Sequence, residues 1–198
     1  AWCCPETLDC EAYGRHFRPF LLNHTCAFLS HNTAIAQKEE LYEQFGQGGS
    51  VFVRPTSCQK SFTGRCVSLG EFESALGPAR LDPSARIVVA PVREIAREWR
   101  LVILGDKIVS GCQYAFRGKK SVRPELPEQV LQFAQHVLAQ VPWRPDPAFM
   151  LDVGQCNGDL HIVELNGFSC SWLYACDLSV VVREASELAR RRSESGED

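Results

Sequence analysis

The sequence has no long hydrophobic run and no excess of basic residues. Its aliphatic runs, such as residues 87–89 and 180–182, fall far short of the roughly 20 apolar residues of a membrane-spanning helix. The formal net charge at pH 7 is -3 and the isoelectric point is near 6.0. This balance argues against generic electrostatic binding to nucleic acid, although it leaves a sequence-specific binder open. We therefore expect neither a membrane segment nor a nucleic-acid partner.

The ten cysteines lack the spacing of a metal site. No C-x-x-C pair occurs, and no histidine stands at zinc-ligand spacing from a cysteine. Secreted disulfide scaffolds are usually shorter, so we predict free, mostly buried thiols in a reducing cytoplasm. The cluster of Cys3, Cys4 and Cys10 leaves another state open. The chain begins at Ala1, with neither an initiator methionine nor a secretory leader, which favours a fragment.

A length of 198 residues, 45% of them apolar, fits one large domain or two small ones with an ordinary core. Short connections between successive strands favour an α+β fold with largely antiparallel sheets. Helical periodicity predicts helices over residues 33–46, 69–76, 126–141 and 179–192. Alternating or short apolar runs predict strands over residues 51–54, 86–92, 98–104, 107–114, 149–153 and 160–165, with a loop through Pro83.

Acidic side chains interrupt the last two apolar strands. Asp152 lies in the first strand, Glu164 in the second, and Asn166 shares the face of Glu164 because side chains two apart point the same way. A two-residue Asn-Gly turn would place Asp152 on the opposite face, whereas a three-residue loop over 156–158 would pair residue 152 with 162 and bring the side chains together. We favour the three-residue loop.

Two carboxylates and an amide on one face would suit magnesium, which prefers oxygen ligands and often shares them with phosphates. The competing interpretation is structural: Asp152 is a strand-end turn acid and Glu164 pairs with an arginine. The hairpin alone does not decide between them.

Two further segments carry charge in a pattern suited to phosphate binding. Arg54 and Lys60 flank a Ser/Thr/Gly-rich loop, in which a guanidinium and an ammonium could contact a polyphosphate. The G-x-x-x-x-G-K-[ST] loop is absent, and an ordinary solvated loop remains the alternative. Glu98 and Arg100 share one face of a strand, where an exposed ion pair is the commoner explanation.

The ordered segments RPTSCQKSFTG, APVREIAREWR and LDVGQCNGDLHIVELN resemble the signatures of ATP-grasp domains. The resemblance is strongest to a small clade of stand-alone ATP-grasp proteins with K-x-F-T-G and E-W-R motifs, and it runs from Val51 to Asp177. It implies two α+β subdomains that grip a nucleotide. The subdomain that usually precedes this fold is largely missing, so we divide the chain into a remnant over 1–50, an ATP-grasp domain over 51–192 and a polar tail over 193–198.

The resemblance also implies a role for individual residues. It makes Arg54 and Lys60 phosphate contacts, Ala90-Pro91-Val92 the adenine hinge near 90–94, Glu94 a ribose contact, Glu98 and Arg100 the groups facing the triphosphate and acyl phosphate, and Asp152, Glu164 and Asn166 magnesium ligands. Pro91 has no N–H, so any adenine contact there must come from Val92 or from a carbonyl. Asn23 resembles a residue of the preceding segment and is given no role.

This resemblance implies an ATP- and magnesium-dependent ligase. ATP would phosphorylate a small-molecule or peptide carboxylate, and an amine (or a thiol) would attack the acyl phosphate, with Lys60 and Arg100 neutralising charge. Three alternatives stay open: a degenerate ATP-binding module without catalysis, a nucleotidyl-transferring ligase, whose K-x-D-G hallmark is absent, and a cysteine enzyme, for which no local signature exists.

Overall fold

The computed structural model describes residues 2–59, 61–76 and 84–196, which form two antiparallel sheets flanked by helices. The α+β class is thus confirmed. The helices are α1 (Cys10–Phe17), α2 (His31–Ala36), α3 (Lys38–Phe45), α4 (Phe72–Ala75), α5 (Glu128–Gln140) and α6 (Leu178–Ser195). The strands are β1 (Ala27–Ser30), β2 (Ser50–Pro55), β3 (Arg65–Ser68), β4 (Arg86–Pro91), β5 (Arg97–Leu104), β6 (Lys107–Phe116), β7 (Lys119–Arg123), β8 (Ala148–Cys156) and β9 (Asp159–Gly167). No helix within the described ranges is long and apolar enough to span a membrane.

The first sheet has the strand order β1-β4-β2-β3. Because side chains alternate along a strand, Val51 and Val53 of β2 point to one face and Phe52 and Arg54 to the other. The valines are fully buried in a core with Leu41 of α3. The opposite face, with Phe52 and Arg54, is directed toward the second sheet.

The second sheet has the strand order β7-β6-β5-β8-β9. One of its faces packs against α5 through the fully buried Val130, Ala134 and Val137. The other face packs against α6 around Val102 and Met150. Farther along the same strands, this second face carries charged side chains instead, so the core of the sheet leads directly into the candidate site.

Most predicted elements are present, with different ends. The helix predicted over 33–46 is two helices, α2 and α3, which meet at Gln37, a residue outside the helical region of the backbone (φ -107°, ψ 20°). The last helix continues to Ser195 and ends at Gly196, which has a positive φ. The helix α1 and the strands β1, β3 and β7 were not predicted. The loop predicted through Pro83 lies mostly outside the described residues.

The turn predicted for the last hairpin is wrong. Cys156 pairs with Asp159, so the loop has two residues, Asn157 and Gly158, both with positive φ. A two-residue loop alone would separate Asp152 from Glu164. The register shifts at a β-bulge between Asp152 and Val153, however, and this places Asp152 directly opposite Glu164.

Residues assigned to an amino-terminal remnant contribute to the first sheet. Strand β1 pairs with β4, for example Phe28 with Val88. All ten thiols are free, as predicted, but only Cys10, Cys112, Cys156 and Cys176 are buried. The expectation of mostly buried cysteines was therefore too broad.

Replacing Gly158 with alanine tests the two-residue turn. Gly158 has a φ of +93°, which a side chain disfavours, so Gly158→Ala should lower the free energy of unfolding by about 1 kcal/mol. Gly70→Ala is the control, because Gly70 is exposed and its Cβ would meet no atom within 4 Å. Urea unfolding of both variants measures the difference, and equal stability would contradict the turn.

Candidate active site

A buried ion pair lies at the centre of the charged face of the second sheet. Arg100 of β5 donates from Nε to Asp152 Oδ1 at 2.8 Å and from Nη2 to Oδ2 at 2.7 Å. The Asp152 side chain is 0% exposed. Asn166 Nδ2 also donates to Asp152 Oδ2, at 3.1 Å, and Arg100 Nη1 donates to the Trp172 carbonyl, at 3.0 Å. Three of the residues predicted from sequence therefore form one network.

Two tyrosines flank this network. The Arg100 guanidinium carbon lies 5.5 Å from the ring centre of Tyr114 and 5.2 Å from that of Tyr174, and the two rings stack on each other. The Tyr114 hydroxyl donates to Glu98 Oε2 at 2.7 Å. Burial raises the pKa of Glu98, and the nearby Glu164 adds to the shift. Glu98 thus borders the network at a position where its charge is costly.

A second ion pair joins the two sheets. Arg54 Nη1, on β2 of the first sheet, lies 2.9 Å from Glu164 Oε2, on β9 of the second. Both side chains are largely shielded from solvent, at 13% and 14% exposed. Since Asp152 is opposite Glu164 on the same face, the Arg54 pair and the Arg100 pair are neighbours. The structure therefore brings Arg54 to the predicted metal residues.

A cavity of about 190 Å³ lies next to Arg54, between the first sheet, the β4–β5 connection and β9. Most of its lining is apolar and includes Leu22, Phe28, Phe52, Val88, Pro91 and Val163. Asn23 and Arg93 supply polar groups, and among the described residues neither Asn23 Oδ1 nor Arg93 Nε has a hydrogen-bond partner. A cavity below the roughly 300 Å³ of small ligand sites would hold one ring system rather than a whole nucleotide.

The residues predicted to contact the nucleotide fall into three groups. Arg54 and Pro91 line the cavity. Val92 is half-buried, Glu94 is exposed, and neither is among the described residues that line the cavity. Lys60 lies outside the described residues, so its contact with phosphate stays a prediction.

The oxygen donors on this face fit a hard cation in chemical type. Glu164 and the Oδ1 of Asn166 could serve a magnesium ion, which usually completes its shell with phosphates and water. Both oxygens of Asp152 already accept hydrogen bonds from Arg100, so ligation by Asp152 stays a prediction. Within residues 2–59, 61–76 and 84–196, no group of three or more His, Cys, Asp or Glu side chains forms a metal site.

Sequence reasoning missed the aromatic and backbone parts of the site. Tyr114 reaches Glu98 because a register shift in the β5–β6 pair lets it share that face. Tyr174 and the Trp172 carbonyl come from the segment after β9, where no periodicity exists. Arg93 and Asn23 stand inside quoted segments, yet no pattern in the sequence indicates that they face a cavity.

Solved ATP-grasp enzymes share the fold. The ATP-grasp ligase PsnB complexed with minimal precursor matches with a TM-score of 0.59 and 11% identity, over 91% of this chain and 60% of that chain. D-alanyl-alanine synthetase A from Vibrio cholerae matches with a TM-score of 0.64 and 16% identity, over 96% and 66%. The D-cycloserine synthetase DcsG matches with a TM-score of 0.63 and 15% identity, over 93% and 70%.

The chain thus spans about 60% of the length of PsnB, and identities this low establish the fold alone. No curated protein matches the chain in sequence. The model of an ATP-grasp domain family, the second family of its clade, matches residues 28–183, which is more than half of the chain. The resemblance in the sequence motifs is confirmed: the chain belongs to this family of ATP-grasp domains.

Proposed function

We propose that this protein is an ATP- and magnesium-dependent ligase that activates a carboxylate as an acyl phosphate. The observation that carries the proposal is the continuity of the site. The apolar cavity ends at Arg54, the Arg54–Glu164 pair adjoins the Arg100–Asp152 pair, and all these groups lie between the two sheets of an ATP-grasp fold. A nucleobase in the cavity would place its phosphates along this row of charges.

The proposed reaction needs no covalent bond to the protein. A substrate carboxylate oxygen attacks the terminal phosphorus of ATP, and ADP leaves; an amine, or a thiol, then attacks the acyl phosphate, and phosphate leaves. Arg54 and Lys60 hold the phosphates, and Arg100 neutralises charge on the transferring group. Magnesium, held by Glu164 and Asn166, would supply further positive charge to the phosphate oxygens. PsnB is described in complex with a precursor peptide and D-alanyl-alanine synthetase by its amino acid product, so peptide and small-molecule substrates are both proposed.

Asp152 acts in this scheme as a positioning residue. Its two hydrogen bonds with Arg100 fix the plane of the guanidinium, and Asn166 holds the carboxylate from the other side. The charge of Arg100 is then already oriented when substrates bind, which lowers the cost of reorganisation during the reaction.

One observation favours a binding module without catalysis as the second candidate. Asp152 and Glu164 are each already paired with an arginine within the fold. Release of ADP in the presence of carboxylates and amines separates the ligase from this alternative. A protein-bound adenylate, detected by mass spectrometry after incubation with ATP, would instead indicate nucleotidyl transfer.

Nucleotide binding is the first test of the proposed site. Glu164→Gln removes the charge proposed to hold magnesium, and Lys60→Ala removes a proposed phosphate contact. Each should weaken the binding of magnesium-ATP at least tenfold, or by about 1.4 kcal/mol, as measured by isothermal titration calorimetry. Glu187→Gln and Lys120→Ala, at exposed positions on α6 and β7, should leave the affinity unchanged. Unchanged affinity in both site variants would contradict the proposal.

The Arg100–Asp152 pair has its own test, because it concerns stability. Arg100→Met leaves the fully buried Asp152 carboxylate without its cation and should lower the free energy of unfolding by about 3–5 kcal/mol. Adding Asp152→Leu should restore most of that loss, since the buried charge is then gone. Urea denaturation of both single variants and the double variant completes the cycle. Additive losses would show that the pair is not coupled.

A further inference from the structure

Three thiols from distant parts of the chain meet at the end of β9. Cys3 Sγ lies 2.9 Å from Cys170 Sγ, although the residues are 167 positions apart. Cys58 is close enough to hydrogen-bond with Cys3. We propose that Cys3 and Cys170 are a site of reversible oxidative modification, at which a small disulfide such as glutathione disulfide converts the two thiols into an intramolecular bridge.

The backbone holds the two thiols in place. Trp2 N donates to Ser169 Oγ at 2.9 Å, and Ser169 N donates to the Trp2 carbonyl at 3.1 Å. The rings of Trp2 and Phe168 pack edge to face with their centres 5.9 Å apart. The amino-terminal segment therefore runs beside the turn after β9. The contact between the thiols follows from this pairing of segments rather than from a chance rotamer.

Gly167 makes the close approach possible. A Cβ at this position would lie 2.6 Å from Cys3 Sγ and 2.9 Å from Cys170 Sγ, which is nearer than real Cβ atoms come to a neighbour. Any larger residue would push the sulfur atoms away. Glycine here leaves the space that both thiols occupy.

The two thiols differ in access to solvent. Cys170 is exposed and Cys3 is half-buried. The hydrogen bond with Cys170 and burial together raise the pKa of Cys3 to about 12, so Cys3 remains protonated near neutral pH. Cys170 is therefore the position at which an oxidant from solution first reacts.

The exchange balances in two steps. The Cys170 thiolate attacks one sulfur of glutathione disulfide; that S–S bond breaks, and one glutathione leaves as a thiolate that takes up a proton. Cys3 then gives its proton to solvent and attacks the Cys170 sulfur; the mixed disulfide breaks, the Cys3–Cys170 bond forms, and the second glutathione leaves. Two protein thiols are oxidised, and one glutathione disulfide is reduced.

The bridge would act on the segment that borders the candidate site. Residues 168–174 carry the Trp172 carbonyl, which accepts from Arg100, and Tyr174, whose ring lies beside the same guanidinium. A bond between Cys3 and Cys170 would tie this segment to residues 2–4. The modification site itself does not depend on the proposed ligase activity.

Alkylation after equilibration in glutathione buffers tests the proposal. The full chain is incubated at increasing ratios of oxidised to reduced glutathione, quenched in acid, alkylated, digested and analysed by mass spectrometry. In the wild type we expect loss of alkylation at both Cys3 and Cys170, a cross-linked peptide joining them, and recovery of both thiols with dithiothreitol. Cys4→Ser is the matched control and should behave as the wild type, because the Cys4 thiol contacts Glu6 instead.

The two single variants separate the steps. Cys3→Ser should retain glutathione on Cys170, because the second step has no attacking thiol. Cys170→Ser should leave Cys3 alkylated at every ratio. Full alkylation of Cys3 and Cys170 in the wild type at the most oxidising ratio, no glutathione on Cys170 in Cys3→Ser, or a cross-link from Cys3 to Cys58 would each overturn the proposal.

Discussion

The burial of one charge pair organises the face on which the candidate site lies. Taking the Asp152 carboxylate and the Arg100 guanidinium out of water is expensive, and their attraction offsets that cost only with good geometry and further hydrogen bonds. Asn166 and the Trp172 carbonyl provide those bonds. The pair therefore fixes side chains on β5, β8 and β9 and the segment that follows β9.

The second ion pair depends on this arrangement and links it to the first sheet. Glu164 is held opposite Asp152 by the bulge in the β8–β9 pair, and from there it reaches Arg54 across the cleft. A triphosphate on Arg54 would compete with Glu164 for the guanidinium. In the proposed function, that competition releases Glu164 for magnesium, so phosphate and metal would bind together rather than separately.

The sequence motifs indicated the family and most residues of the site, but not how the backbone brings them together. Asp152 and Glu164 were expected on one face because of a three-residue turn, whereas a two-residue turn and a bulge produce the result. A bulge inserts one residue without a distinctive composition, so alternation cannot reveal it. The same limitation hid Tyr114. Glu94 was assigned by position in a motif, and the structure places it at the surface.

The charge balance of the site bears on what must accompany a nucleotide. Two arginines, Arg54 and Arg100, face three carboxylates, those of Glu98, Asp152 and Glu164, so the buried positive charge is already matched within the protein. The raised pKa of Glu98 shows that a further negative charge there is unfavourable. A triphosphate adds several negative charges to this face. Its binding therefore requires positive charge beyond the two arginines, which is the physical reason for assigning both magnesium and Lys60 to the proposed complex.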